Sequence, residues 1–115
     1  MSIAVQLAEL RGAVARRDAA YLVTVGDDGS PRVVSVAPGW DGDRLAIPAG
    51  RHSVANAAAR PLVSLVWPPV VAGDYSLLVD GTAVVAAGDT VVVEPSAAIL
   101  HRPAAGGGSD CRTIL

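Results

Sequence analysis

The spacing of apolar residues changes along the chain, and each change predicts an element. Ile3, Leu7, Leu10 and Val14 recur at intervals of 4, 3 and 4, which is the period of one helix face. Ser2 as N-cap and Arg16-Arg17 at the far end complete the signal. A helix is expected over Ile3–Arg17. The period then drops to two. Ala20–Val25 alternates like a strand, Asp27-Asp28-Gly29-Ser30 supplies a turn, and Arg32–Ala37 alternates again, so the pair reads as a hairpin. Asp41-Gly42-Asp43 turns into a third strand, Arg44–Ile47.

After Pro48-Ala49-Gly50 the alanine-rich stretch His52–Ala59 reads as a short helix, stopped by Pro61 because the residue before a proline is pushed out of helical geometry. Leu62–Trp67 is a fourth strand. Tyr75–Val79 is a fifth, continuing through Gly81 to Val85 with Gly81 as a candidate bulge. Gly88-Asp89 leads into a sixth, Thr90–Val93, and Pro95 suits the first position of a last short helix, Pro95–Leu100. Six short strands with helices pushed to the start, middle and end predict a small antiparallel barrel. Valine on both strand faces asks for cover on both sides, so a dimer is expected. Residues 1–103 form the barrel domain with its N-terminal helix, and residues 104–115 a Gly-rich tail.

Composition narrows the function. At 115 residues the chain is one domain. A single copy has little room to enclose a large cofactor. The net charge is −2 and aromatics make up 3%. Neither phosphate neutralisation nor base stacking is provided for, so nucleic acid is excluded as a partner. The longest uncharged run, Pro61–Gly73, holds three prolines and is too short to span a membrane. Glu9 and Arg11 interrupt the N-terminal apolar stretch, so it does not read as a secretory signal, and a cytoplasmic protein is expected. One cysteine and two histidines rule out a disulfide framework and leave too few ligands for zinc. All nine basic residues are arginine. That removes lysine Schiff-base chemistry and the phosphate-loop lysine.

The segment Gly50-Arg51-His52-Ser53-Val54-Ala55-Asn56 carries the strongest chemical signal. It leaves a strand and opens a helix, whose free N–H groups attract anions. Arg51 adds a bidentate donor, His52 a second and Ser53 a hydroxyl, and Asn56 lies one turn on. The competing reading is a solvated Arg51 and a Ser53 that only caps the helix. Arg32 reads as a surface charge beside a turn, with an anion contact as the alternative, Trp40 and Trp67 as packing residues, and His101 as a cation at the end of the last helix. Cys111 is a poor nucleophile, with Arg112 as its one evident activator.

The serial order of these segments resembles the pyridoxamine 5′-phosphate oxidase-like, FMN-binding split-barrel family. The matching segments are Asp27-Asp28-Gly29-Ser30-Pro31-Arg32, Trp40–Leu45, Gly50–Asn56, Arg60–Trp67 and Leu78–Val84. They span about residues 18–100, and their order is more specific than any one of them. The resemblance implies a homodimeric six-stranded split β-barrel with cofactor sites shared between subunits. The cofactor would be FMN, or the 8-hydroxy-5-deazaflavin coenzyme of actinobacterial relatives, and some members bind none. It implies an oxidoreductase in which the cofactor transfers hydride to or from a small-molecule substrate, with no catalytic side chain and no metal. The alternative is a non-enzymatic split-barrel dimer that binds a small ligand or has lost its cofactor. The implied cofactor-binding positions are Pro48, Arg51, His52, Ser53, Asn56 and Trp67. The chain departs from true pyridoxamine phosphate oxidases where they carry cations: Val33, Pro38 and Ser53 stand there instead. The C-terminal substrate-binding segment also has no counterpart, so vitamin B6 oxidation is not expected.

Overall fold

The structure is a computed structural model and describes residues 1–104. The Gly-rich tail beyond Ala104, and Cys111 with it, lie outside the described residues. Among the described residues eight strands form one antiparallel sheet: β1 (Ser2–Val5), β2 (Ala20–Val25), β3 (Pro31–Val36), β4 (Gly39–Asp41), β5 (Arg44–Pro48), β6 (Leu62–Trp67), β7 (Ser76–Ala87) and β8 (Thr90–His101). Two short helices, α1 (Leu10–Ala15) and α2 (Arg51–Ala59), accompany them. The strand order is β3-β2-β6-β7-β8-β5-β4, and β1 pairs with the far half of β8. The outer strands β3 and β4 are joined by Ala37-Pro38. The sheet therefore curls into a split barrel.

All six expected strands are present, and two more were not expected. Period-two burial explains why they form. Ala20, Leu22 and Thr24 of β2 face inward, as do Val63, Leu65 and Trp67 of β6 and Leu77 and Val79 of β7. Val54 and Ala57 of α2 close the core from one end, and Leu10 and Val14 of α1 add to it.

Two helix expectations are corrected. The N-terminal helix is confined to Leu10–Ala15, after a strand and one 3-10 turn, Leu7–Glu9. Leu10 and Val14 are buried as their spacing requires, but Ile3 and Leu7 are nearly half exposed. β8 runs beyond the end of β5, and its edge at Ala98–His101 needs a partner, which residues 2–5 supply. Ser2 is thus a strand residue and not a helix cap. The expected helix at Pro95–Leu100 is the second half of β8. Its cause is a bulge: Asp80 pairs with Ala97 and Gly81 with Pro95, leaving Ser96 as the extra residue. The bulge accommodates a proline that has no N–H to give. It also shifts the alternation by one, so Ala98 faces the core on the same side as Val91 and Val93. The register shift falls at Gly81 as expected, although the inserted residue is on the opposite strand.

Candidate functional site

Helix α2 starts at Gly50, which caps it with an extended backbone (φ −72°, ψ 165°) and no side-chain hydrogen bond. The first intrahelical bond runs from Val54 N to Gly50 O at 3.0 Å. The amides of Arg51, His52 and Ser53 therefore have no acceptor within the helix. Ser53 is at the third helical position and is not the cap, so the capping reading of this residue falls. It is 2% exposed, and its hydroxyl has no hydrogen-bond partner among the described residues. No polar side-chain atom sealed from solvent among them lacks a partner. The Ser53 hydroxyl thus opens onto the cavity that the residue lines.

That cavity is a depression of about 240 Å³ between α2 and β3, walled by Arg32, Val34, Gly50, Arg51, His52 and Ser53. Arg32, for which the sequence left a surface charge and an anion contact open, lines the depression. It pairs with Thr24 across the β2–β3 ladder. Directly paired residues share a face, and Thr24 is 1% exposed on the inner face, so Arg32 is directed to the α2 side. The signal was the count from Thr24 through the turn, which fixes the pairing only once the hairpin register is known. The residues that line it carry two guanidinium groups, an imidazole and a hydroxyl, beside three free amides. The donor set suits a phosphate or carboxylate.

A second depression of about 410 Å³ continues from the first. It shares Arg32 and His52 with it and reaches Asp27, Asp28 and Asn56. Asn56 Nδ2 donates to Thr24 Oγ1 at 3.2 Å, and Arg60 Nε donates to Val25 O at 2.6 Å. These bonds dock α2 on β2, so Asn56 spends its amide on positioning the helix. Asp28 Oδ1 accepts from the Ser30 amide at 3.0 Å. The Ser30 amide and hydroxyl, with Arg60 beyond, hold the Asp28 carboxyl below the usual carboxylate range.

The other expected site residues lie elsewhere. Pro48 is exposed at the end of β5, paired with Thr90, and lines neither depression. Trp67 is 1% exposed within the core. Its indole serves packing, since a side chain sealed in the core has no surface to offer a ligand. His101 is on a strand, not at a helix end, and its Nδ1 lies 3.1 Å from Ser2 Oγ.

A larger cavity, about 840 Å³, lies between the N-terminal segment and the β4–β5 hairpin. Its cations are already engaged. Arg11 stacks 4.4 Å from the centre of the Trp40 ring and donates to Gly42 O at 2.6 Å, and Arg44 pairs with Glu94 at 3.3 Å. It offers no free anion receptor. Among the described residues no cluster of His, Cys, Asp or Glu could hold a metal ion, and no helix is long and apolar enough to cross a membrane.

The Mycobacterium bovis protein named "Uncharacterized protein Mb0449c" is 38% identical to this chain over 117 residues, covering 88% of this chain and 82% of that protein. The chain belongs to its family. No family model matches the chain. Among solved structures, an F420 reductase superposes with a TM-score of 0.59 at 22% identity, covering 70% of this chain and 87% of its own. A proposed 5-nitroimidazole antibiotic resistance protein from Bacteroides thetaiotaomicron superposes with a TM-score of 0.57 at 11% identity, covering 87% and 88%. These likenesses show a shared split-barrel fold.

Proposed function

We propose that the chain binds a phosphorylated flavin, FMN or an 8-hydroxy-5-deazaflavin coenzyme, and acts with it as an oxidoreductase on a small molecule. The observation that carries the reading is the N-terminus of α2, which lacks a side-chain cap, with Ser53, Arg51, His52 and Arg32 lining one depression. These groups would hold the phosphate. When bound, such a group supplies hydride transfer, and the protein's part is to orient it and exclude water. The fold shared with an F420 reductase supports the choice of cofactor class.

The depressions are open to solvent, so one chain alone would leave much of a ring system exposed. Drug-sized ligands occupy clefts of about 300–1,000 Å³ that bury most of their surface. A second copy would supply the missing wall. The outer sheet face offers a surface for it: Tyr21, Val66, Leu78 and Ile99 stand in one row across four strands, with Val23 and Val33 beside them. We assign this face to a homodimer.

Titration with FMN and with the deazaflavin coenzyme, followed by absorbance and fluorescence, tests the proposal. Stoichiometric binding of either is expected. Arg51→Ala and Ser53→Ala should each weaken it, Arg51→Ala by about ten- to hundredfold, as suits a charged hydrogen bond. A protein that binds neither cofactor at micromolar concentration overturns the reading.

A further inference from the structure

The anion site proposed above belongs to a longer trough whose two ends differ in charge, and the inference here rests on that site. The two depressions beside α2 meet at Arg32 and His52. Toward α2 the trough presents Arg51, the imidazole of His52, the Ser53 hydroxyl and three free amides. Toward the β2–β3 turn it presents Asp27 and Asp28. Asp28 is fixed in place by the Ser30 amide that it accepts. Asp27 makes no ion pair among the described residues. Arg32 stands between the ends and is shared by both.

We infer that Asp27 and Asp28 act as a charge filter on this site. The trough selects a ligand with one anionic group at α2 and an uncharged, hydrogen-bond-donating body, and it disfavours a ligand whose further anionic groups run on toward the turn. A hydroxyl-bearing chain would find two carboxylate acceptors there. A second or third phosphate would meet like charge. Two like charges about 4 Å apart already cost about fivefold in affinity in bulk water. Salt weakens the effect, because the trough is open to solvent.

Inorganic phosphate and tripolyphosphate separate the filter from the site. On cationic groups alone the more highly charged ion binds tighter. Calorimetric titration of both ions into the wild-type protein at low salt should show tripolyphosphate binding no tighter than phosphate. In the double variant Asp27→Asn/Asp28→Asn the affinity ratio should move toward tripolyphosphate by about fivefold or more, and the shift should shrink in concentrated salt. Asparagine suits turns and keeps an oxygen to accept from the Ser30 amide, so retained hydrogen-exchange protection of that amide confirms that the turn is intact. A ratio that the double variant leaves unchanged overturns the filter while the anion site stands. A wild-type protein that binds no phosphate, by calorimetry or by chemical shifts at Arg51–Ser53, overturns the site and the filter with it.

Discussion

Single residues decide where this sheet can bend. At Gly81 an added Cβ would lie 2.5 Å from Val93 Cγ1 and 2.7 Å from the Glu94 carbonyl oxygen. Backbone cannot retreat from such a contact cheaply, so any side chain here pushes β7 away from β8 beside the bulge. Gly81→Ala should destabilise the fold by about 1–3 kcal/mol, the usual cost of overpacking a core, read as a lower urea midpoint with an unchanged slope. An unshifted midpoint would show that β8 gives way without strain. Asp28 makes a prediction of a different kind. Hydrogen bonds from Ser30 lower its pKa in the folded protein. Between the folded and unfolded values the unfolded chain binds more protons, so stability rises with pH there. The contribution is complete above the ordinary carboxylate value of 3.8 and is lost as pH falls through the lowered one. Asp28→Ala should therefore flatten the acid limb of the stability profile below about pH 4 and leave its slope near neutrality unchanged.

Elements whose signal was local were legible in the sequence, and those set by distant pairing were not. β2 and β6 fall at the residues that alternation marks, Ala20–Val25 and Leu62–Trp67. α2 is bounded by Gly50 and by Arg60 before Pro61, so the core of the candidate site could be read from residues 50–56. The N-terminus could not. Ile3 and Leu7 hold a helical period, yet the open edge of β8 recruits residues 2–5 as a strand, since cross-strand pairing outweighs a weak local preference. Pro95 looked like a helix start because nothing local announces that Gly81 lies opposite it. The choice between a surface charge and an anion contact at Arg32 stayed open for the same reason, as its facing depends on a cross-strand register. The loop between β6 and β7 shows how one side chain can hold an element that lacks regular structure. Arg17 Nη1 donates to the carbonyls of Trp67, Pro68 and Tyr75 at 3.1, 3.3 and 2.8 Å. Arg17→Met keeps the apolar stem and removes the donors. Hydrogen exchange and proteolytic nicking should rise within residues 68–75, with a loss of about 1–2 kcal/mol in global stability. Unchanged exchange in that loop would show that the prolines alone hold it.

At the scale of the whole molecule, the inner face of the sheet is saturated and the outer face is not. Inward residues meet α1, α2 and one another, whereas Tyr21 is 43% and Val33 59% exposed on the outer side. Contiguous exposed apolar surface on a small protein marks an interaction site. Charge is sparse there: Asp80 is the acidic group in the rows through Tyr21 and Val23, and the Ser64 hydroxyl already donates to it at 2.7 Å. A face with a single, already hydrogen-bonded carboxylate brings little like charge together when it meets a copy of itself, and a stable pair buries about 800 Å² from each partner. Light scattering at micromolar concentration should give twice 11.6 kDa. Tyr21→Glu/Val33→Glu should give a folded monomer, because both side chains lie outside the core of a single chain and their replacement leaves the packing around Leu22 and Leu65 intact. In the proposed dimer the second copy would wall the site around the edge strand β3, so the same variant should lose flavin affinity although neither residue lines the depression beside α2. A wild-type monomer would overturn the assignment of this face. A monomeric variant that binds cofactor as tightly as the wild type would place the whole site within one chain.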